Sequence, residues 1–225
     1  TGEKTADQLD IFKPTVYDKA NIEFRLNTRV ASINRADKTI TLESGDTLAY
    51  DKLALCTGAR VRKLNIPGSD LKGVHYLRTL AEADAIQREV RGNGKAVIVG
   101  GGYIGLETAA SLRKLGMEVT VLEMMSRVLE RVTAPELSDY YTKLHESHGV
   151  KIILNAQAQA ILGSDTAQQV QCNDELVLDA DLVIIGIGVI PNTELAAAAG
   201  LVVENGILVD EFACTNDPDI VAAGD

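Results

Sequence analysis

Apolar positions change period several times along the chain, and each change marks an element. After a mixed polar opening, a short helix is predicted over 13–19, entered through Pro14. From Ile22 the pattern becomes alternating or continuous apolar runs: IEFR, RVASINR, KTITLES and TLAYDKLALCTG. Turn signals at Ala36-Asp37-Lys38 and Ser44-Gly45-Asp46 separate the last three, which predicts an antiparallel meander ending in an apolar strand over 53–56. Residues 59–78 carry Pro67, Gly68 and Gly73 and read as an irregular crossing between domains. Thr79 and Glu82 form a capping-box pattern, opening a helix that closes at Gly92-Asn93-Gly94.

The next stretch, KAVIVGGGYIGLETAASLRKLGMEVTVLE over 95–123, organises the rest. A four-residue apolar strand runs into Gly100, Gly102 and Gly105. A helix with apolar positions at Ile104, Ala109, Leu112 and Leu115 follows and stops at Gly116. A second strand then ends on Glu123, 23 positions after Gly100. Beyond it comes MMSRVLERV, a second capping-box pattern at Thr133 and Glu136 with Pro135 between, and a helix reaching His148 before Gly149. A strand over 150–154, a second meander over 156–179 and a buried strand over 181–187 follow. A short helix over 193–199 ends at Gly200, and two short strands lead to Gly224-Asp225.

The pattern repeats. DKLALCTG (51–58) matches DLVIIGIG (181–188), each behind a meander, at an offset of 130 residues. In the second copy Gly100 precedes Gly188 by 88 residues; the same spacing places a first glycine-rich turn about 30 residues before Thr1. The expectation is a fragment that lacks one of a pair of dinucleotide motifs.

Composition narrows this little. At 225 residues, 46% hydrophobic and 24% charged, the chain suits an ordinary α/β protein with one or two domains. A net charge of −10 disfavours nucleic acid as a partner. No apolar run reaches the roughly 20 residues that cross a membrane, and the expected location is the cytoplasm. Thr1 is no natural start, so the lack of a leader carries no weight. Cys56, Cys172 and Cys214 are odd in number and without C-x-x-C spacing. The outer pair sits in apolar, strand-like settings, so buried thiols in a reducing compartment are expected. With His75, His145 and His148 they form no metal-ligand pattern, and no metal is expected.

The chemistry lies in the glycines. In G-x-G-x-x-G between strand and helix, the first glycine permits a tight turn and the second lets a pyrophosphate approach the backbone. The third lets helix and strand pack closely, while the helix N-terminus faces the phosphate charge. An acid at the end of the next strand accepts bonds from both ribose hydroxyls and repels a 2′-phosphate, favouring NADH over NADPH. A glycine-rich turn of another α/β protein, or an FAD site, is the competing reading. Arg127 and Arg131 are candidates for the adenosine end, with solvated surface positions as the alternative.

GGGYIGLE, VTVLE, SRVLERVTAPELS, GIGVIPN and the closing T-x-x-P-x-I-V-A-A-G-D together resemble the bacterial FAD-dependent ferredoxin reductases of cytochrome P450 and ring-hydroxylating dioxygenase systems. GGGYIGLE is shared with the wider pyridine nucleotide-disulfide oxidoreductase group; RVLERVTAP is specific to the reductase branch. The resemblance covers nearly the whole chain. It implies a Rossmann-like NADH domain with an antiparallel meander (63–187), inserted in a partial FAD-binding domain (1–62 and 188–225), and a further C-terminal domain elsewhere. For NADH it implies Gly100, Gly102, Tyr103, Ile104, Gly105, Glu123, Arg131 and the turn Ile187-Gly188-Val189. Glu107 is expected beside the nicotinamide, as a positioning rather than an acid–base residue; a first-turn acid on the helix dipole is the alternative. For FAD it implies Val30, Cys56, Thr57, Gly58, Arg78, Gly224 and Asp225, with Cys56 replacing the family's alanine. The implied reaction passes electrons from NADH through FAD to a [2Fe-2S] ferredoxin or a rubredoxin. Disulfide reductases, NADH oxidases and a non-catalytic NAD-binding module remain alternatives.

Overall fold

The computed structural model describes residues 2–225. From the N-terminus, α1 (Pro14–Lys19) precedes β1 (Val30–Asn34), β2 (Thr39–Leu42), β3 (Thr47–Ala49) and β4 (Leu53–Leu55); β5 (Ala59–Val61) leads to β6 (Val74–Tyr76) and α2 (Leu80–Glu89). The middle of the chain supplies β7 (Lys95–Val99), α3 (Tyr103–Lys114), β8 (Glu118–Leu122), α4 (Pro135–Ser147) and β9 (Val150–Ile153). The remainder is β10 (Ala158–Leu162), β11 (Gln169–Cys172), β12 (Val177–Asp179), β13 (Leu182–Ile185), β14 (Val189–Pro191), α5 (Glu194–Ala198) and β15 (Ile220–Ala222). The chain is α/β and forms two compact units: residues 61–189 with the first described residues, and residues 5–60 with 190–225.

The first unit is built on a five-stranded sheet in the order β6-β13-β7-β8-β9, parallel throughout. Parallel strands covered on both faces are continuously apolar, and KAVIV and LVII read that way: Ala96 to Val99 and Leu182 to Ile185 are all buried. Strand geometry sends successive side chains to opposite faces. Ala96, Ile98, Leu182 and Ile184 accordingly pack with Ile86 of α2 and Ala109 and Leu112 of α3. Val97, Val99, Val183 and Ile185 pack against Ala158, Ile161 and Val170 of the three-stranded antiparallel meander β10-β11-β12. Progression from β7 to β8 to β9 runs one way, whereas β13 returns on the other flank of β7. The sheet therefore changes direction between β7 and β13, the place where open α/β sheets carry ligands beyond their carboxyl ends.

The second unit holds its own meander, β1-β2-β3, and the parallel pair β4 and β15. Ile33, Leu55, Ala196, Leu201, Ile220 and Ala222 form its core. Arg35 ties the meander to α5: its Nε donates to the Asp217 carboxylate at 2.6 Å and its Nη1 to the Gly200 carbonyl at 3.0 Å. The Asp219 carboxylate takes Lys38 at 2.5 Å and Lys52 at 2.6 Å.

The sequence repeat has a structural counterpart finer than strand order. Both meanders break register at one place, between Val30 and Ser32 on β1 and between Ala158 and Ala160 on β10. A bulge kept at corresponding positions of both copies is a built feature of the repeat.

Several local expectations change. Residues 22–25 form no strand: all four are exposed, the Ile22 N–H donates to the Tyr17 carbonyl and Phe24 packs edge-on against the Tyr17 ring. Strand 53–56 leaves the meander and pairs in parallel with β15, and the crossing 59–78 contributes the edge strand β6. The capping box at Thr79 forms, but the one at Thr133 does not. Pro135 takes the first helical position, which makes Ala134 the cap, and the Thr133 hydroxyl bonds instead to the Leu129 carbonyl at 3.2 Å. The C-terminal stretch holds one strand, β15, and isolated bridges in place of the second. Cys172 is the buried thiol, whereas Cys56 is exposed just past the paired end of β4 and Cys214 is half-buried. No helix among the described residues is long and apolar enough to cross a membrane.

Candidate dinucleotide site

β7 ends at Gly100, whose φ of +116° lies where side chains are strained. A Cβ there would sit 2.4 Å from the Gly186 carbonyl oxygen. Gly105 faces the same constraint from the helix side, because a Cβ would sit 2.0 Å from the Gly100 oxygen. These two glycines let β7, α3 and the turn after β13 meet at backbone distance. Gly102, the cap of α3, differs: a Cβ on it would meet nothing within 4 Å. Its open face adjoins the first amides of α3, which have no acceptor within the helix. A group that must approach backbone amides closely fits here.

Glu123 is oriented by the loop it faces. Oε2 accepts the Gly101 N–H at 2.7 Å and Oε1 accepts the Met125 N–H at 2.8 Å. Gly101 is held on its other side too, its carbonyl accepting the Leu129 N–H at 3.0 Å. The carboxylate thus fixes the glycine turn and keeps lone pairs for a ligand.

A cavity of about 810 Å³ follows the carboxyl edge of the sheet within this unit. Gly100, Gly102, Tyr103, Ile104, Glu123 and Arg131 line one flank, and Ile187, Gly188 and Val189 the other. Of the residues expected to hold NADH, the structure gathers these in one cavity; Gly105 lies beneath, buried in the helix–strand contact. Glu107 is the exception. One turn further along α3, it faces α4 and lines a separate cavity of about 680 Å³ with Tyr141, His145 and His148; Tyr103 borders both. His145 is held below the usual imidazole range, first by burial and then by the neighbouring His148 charge.

Arg62, Met124 and Gln157 also line the main cavity and were not expected there. The neighbouring Ala158, also in the lining, corresponds to Val30 through the shared bulge, a match the structure reveals and the sequence offset of 130 does not. Arg62 had no signal in the sequence, but its backbone N–H donates to the Gly188 carbonyl at 2.9 Å and so fixes it to the turn after β13. Arg127 is neither at the surface nor in the cavity; its guanidinium is spent on the loop that follows β8.

In the second unit, Cys56, Thr57 and Gly58 follow β4 while Gly224 and Asp225 follow its parallel partner β15. Asn192 brackets the first group: its Nδ2 donates to the Thr57 carbonyl at 2.9 Å, and its own carbonyl accepts the Thr57 hydroxyl at 2.7 Å. Gly58 and Gly224 have positive φ, and a Cβ on Gly224 would meet nothing within 4 Å. Five of the seven residues expected at FAD are thus brought together at paired strand ends. Val30 lies on β1. Arg78 belongs to the first unit, where its backbone N–H donates to Glu82 ahead of α2.

The pyridine nucleotide-disulphide oxidoreductase model matches residues 2–225. The chain belongs to this family. Putidaredoxin reductase of Pseudomonas putida is 44% identical over all of the chain and 54% of that protein. Rubredoxin-NAD(+) reductase of Pseudomonas putida is 39% identical over 99% of the chain and 58% of that protein. Among solved structures, the covalent putidaredoxin reductase–putidaredoxin complex superimposes with a TM-score of 0.93 at 44% identity, over all of the chain and 55% of the matched one. The chain spans about half the length of the curated relatives it matches.

Proposed function

We propose that the chain carries the NADH-binding domain (63–187) and parts of the FAD-binding domain (1–62 and 188–225) of a cytoplasmic NADH-dependent ferredoxin reductase. The observation that carries this reading is the Glu123 carboxylate just past the end of β8, braced against Gly101 and lining the same cavity as the open Gly102. That cavity suits the elongated, doubly charged shape of a dinucleotide. The α3 amides meet its phosphates, Arg131 its adenosine end, Glu123 its ribose hydroxyls, and Ile187-Gly188-Val189 lie along its nicotinamide half. The same carboxylate repels a 2′-phosphate, which favours NADH over NADPH.

Thr57-Gly58 and Gly224-Asp225 would hold FAD, Asp225 through the ribityl hydroxyls, with Cys56, Val30 and Arg78 as further contacts. Bound together, the two cofactors supply hydride transfer followed by single-electron delivery; the residues present bind and orient them and need no proton-abstracting pair. Glu107 keeps the proposed role of positioning the nicotinamide, although its side chain lines the separate cavity beside α4. The acceptor class follows the relatives, whose names include putidaredoxin, rubredoxin and the ferredoxins of dioxygenase systems. A P450 or dioxygenase system is accordingly the expected destination of the electrons.

The test is an acceptor screen with NADH and NADPH against [2Fe-2S] ferredoxin, rubredoxin and small disulfides, alongside the flavin absorbance of the purified protein. Yellow protein that reduces ferredoxin with NADH preferred is expected. Reduction of disulfides alone would overturn the ferredoxin reading, and colourless protein that still binds NADH would reduce the chain to a binding module.

A further inference from the structure

We propose that Arg127 is a positioning residue that fixes how Arg131 is presented to the dinucleotide. The proposal rests on the dinucleotide reading of the main cavity. Between β8 and α4 the chain runs from 123 to 134 without helix or strand, and an arginine presented from such a loop has an uncertain root. Here the root is tied. The Arg127 guanidinium folds back across the loop: Nη2 donates to the Glu130 carbonyl at 2.9 Å, and Nη1 to the Thr133 carbonyl at 2.9 Å and the Ser138 hydroxyl at 2.7 Å. Two of those acceptors flank Arg131, one immediately before it and one two residues after.

The rest of the loop is pinned with equal care. Ser138, 1% exposed at the start of α4, donates its own hydrogen bond to the Val128 carbonyl at 2.6 Å. Leu129 adopts φ +55°, uncommon for a side chain of its kind, and is 3% exposed against Leu106 and Val128. In that conformation its N–H reaches the Gly101 carbonyl in the glycine turn. The middle of the loop is therefore joined to the glycine turn and its end to α4, and the planar fork of Arg127 holds the stretch between. A lysine cannot replace it, because a single ammonium does not bridge two carbonyls and a hydroxyl in a fixed plane.

Arg131 is the contrasting member. It is exposed, lines the cavity with Glu123 and Gly102, and makes no hydrogen bond or ion pair with the described residues. Its long side chain retains its freedom until a ligand arrives, so the affinity it contributes depends on a fixed backbone beneath it. One arginine is built in so that the other can bind.

A double-mutant cycle read by NADH fluorescence titration tests this. Arg131→Ala is expected to weaken NADH binding about tenfold, the worth of one hydrogen bond to a charged group. Arg127→Ala should weaken it roughly five- to tenfold, and the double variant no further than about the larger single effect, because the second change removes what the first had already disabled. Arg127→Lys and Ser138→Ala, which keep most of the packing, should give smaller losses in the same direction and decide the matter should Arg127→Ala not fold. A merely structural role lowers the melting temperature and leaves the affinity of folded protein unchanged. Multiplicative losses in the double variant, or wild-type affinity in all three clamp variants while Arg131→Ala is weakened, would overturn the proposal. Wild-type affinity in Arg131→Ala would instead overturn the reading of this end of the cavity.

Discussion

Gly102→Ala separates binding from folding more cleanly than any other change in the loop. The residue has φ −80° and ψ −178°, a conformation any side chain adopts, and its Cβ direction is empty to 4 Å. Alanine is a poorer helix cap than glycine, so a cost of up to about 1 kcal/mol is expected, equivalent to roughly 2–4 °C in melting temperature at this size. The added methyl group, however, occupies the space a pyrophosphate needs to reach the α3 amides. Losing one such charge-assisted bond costs about 1.5–3 kcal/mol, and each 1.4 kcal/mol is about tenfold in affinity. NADH should therefore bind roughly 10- to 100-fold more weakly to a protein of nearly unchanged stability, measured by fluorescence titration beside a thermal melt. Wild-type affinity in a folded Gly102→Ala variant would refute the placement of the pyrophosphate over this turn.

Gly105→Ala should give the opposite result. Its Cβ would meet a backbone oxygen at 2.0 Å, so α3 must lift from β7 at a cost of at least about 1–3 kcal/mol, seen as a lower melting temperature before any ligand is added. Glu123→Gln keeps one acceptor oxygen but turns an NH₂ towards a backbone N–H. NADH affinity should fall while the preference over NADPH narrows, and an unchanged NADH/NADPH ratio of kcat/KM would rule out Glu123 as the ribose ligand. In the second unit, hydrogen bonds from Lys38 and Lys52 bring Asp219 from 3.8 down to about 2, and the bond from Arg35 lowers Asp217 likewise. Depressed carboxylates stabilise the fold above their unfolded value and lose that contribution as pH falls through the folded one. Asp219→Asn should thus be less stable than wild type at pH 6, with the difference vanishing between about pH 4 and pH 2 in acid unfolding followed by circular dichroism. A difference that persists unchanged at pH 2 would contradict this.

The glycine motif and the buried strands were legible because their constraints are local. Only glycine allows the approach of Gly100 to Gly186 and of Gly105 to Gly100, and only a strand covered on both faces tolerates LVII. The misreadings share a different cause. IEFR has the composition of a strand, but pairing is a property of neighbours, and its four residues are exposed. Thr133 and Glu136 have the spacing of a capping box, yet Pro135 moved the helix start by one residue and released the hydroxyl to Leu129. Cys56 reads as the end of a buried strand, but β4 stops pairing at Leu55. Arg127 could not be read at all: its partners are backbone carbonyls and one serine, and backbone acceptors leave no trace in side-chain pattern.

The repeated bulge bears on how one scaffold serves in both units. Each copy presents a meander, a parallel strand and a glycine turn at that strand's end, and the structural likeness persists where sequence likeness is confined to a few positions. What differs is the chemistry set around each turn. In the first copy Asn192 clasps Thr57-Gly58, and Asp225 stands at the adjacent strand end. In the second, Gly186 packs against Gly100 and Gly105, while Glu123 braces Gly101. With a net charge of −10 the protein as a whole repels a doubly negative cofactor. On the proposed reading, attraction at the second turn is local, from the α3 amides and from Arg62 and Arg131 set against Glu123 and Glu130 around the cavity. Local attraction acts only over short distances, which is why the loop beneath Arg131 must be held in place rather than left to settle when the ligand arrives.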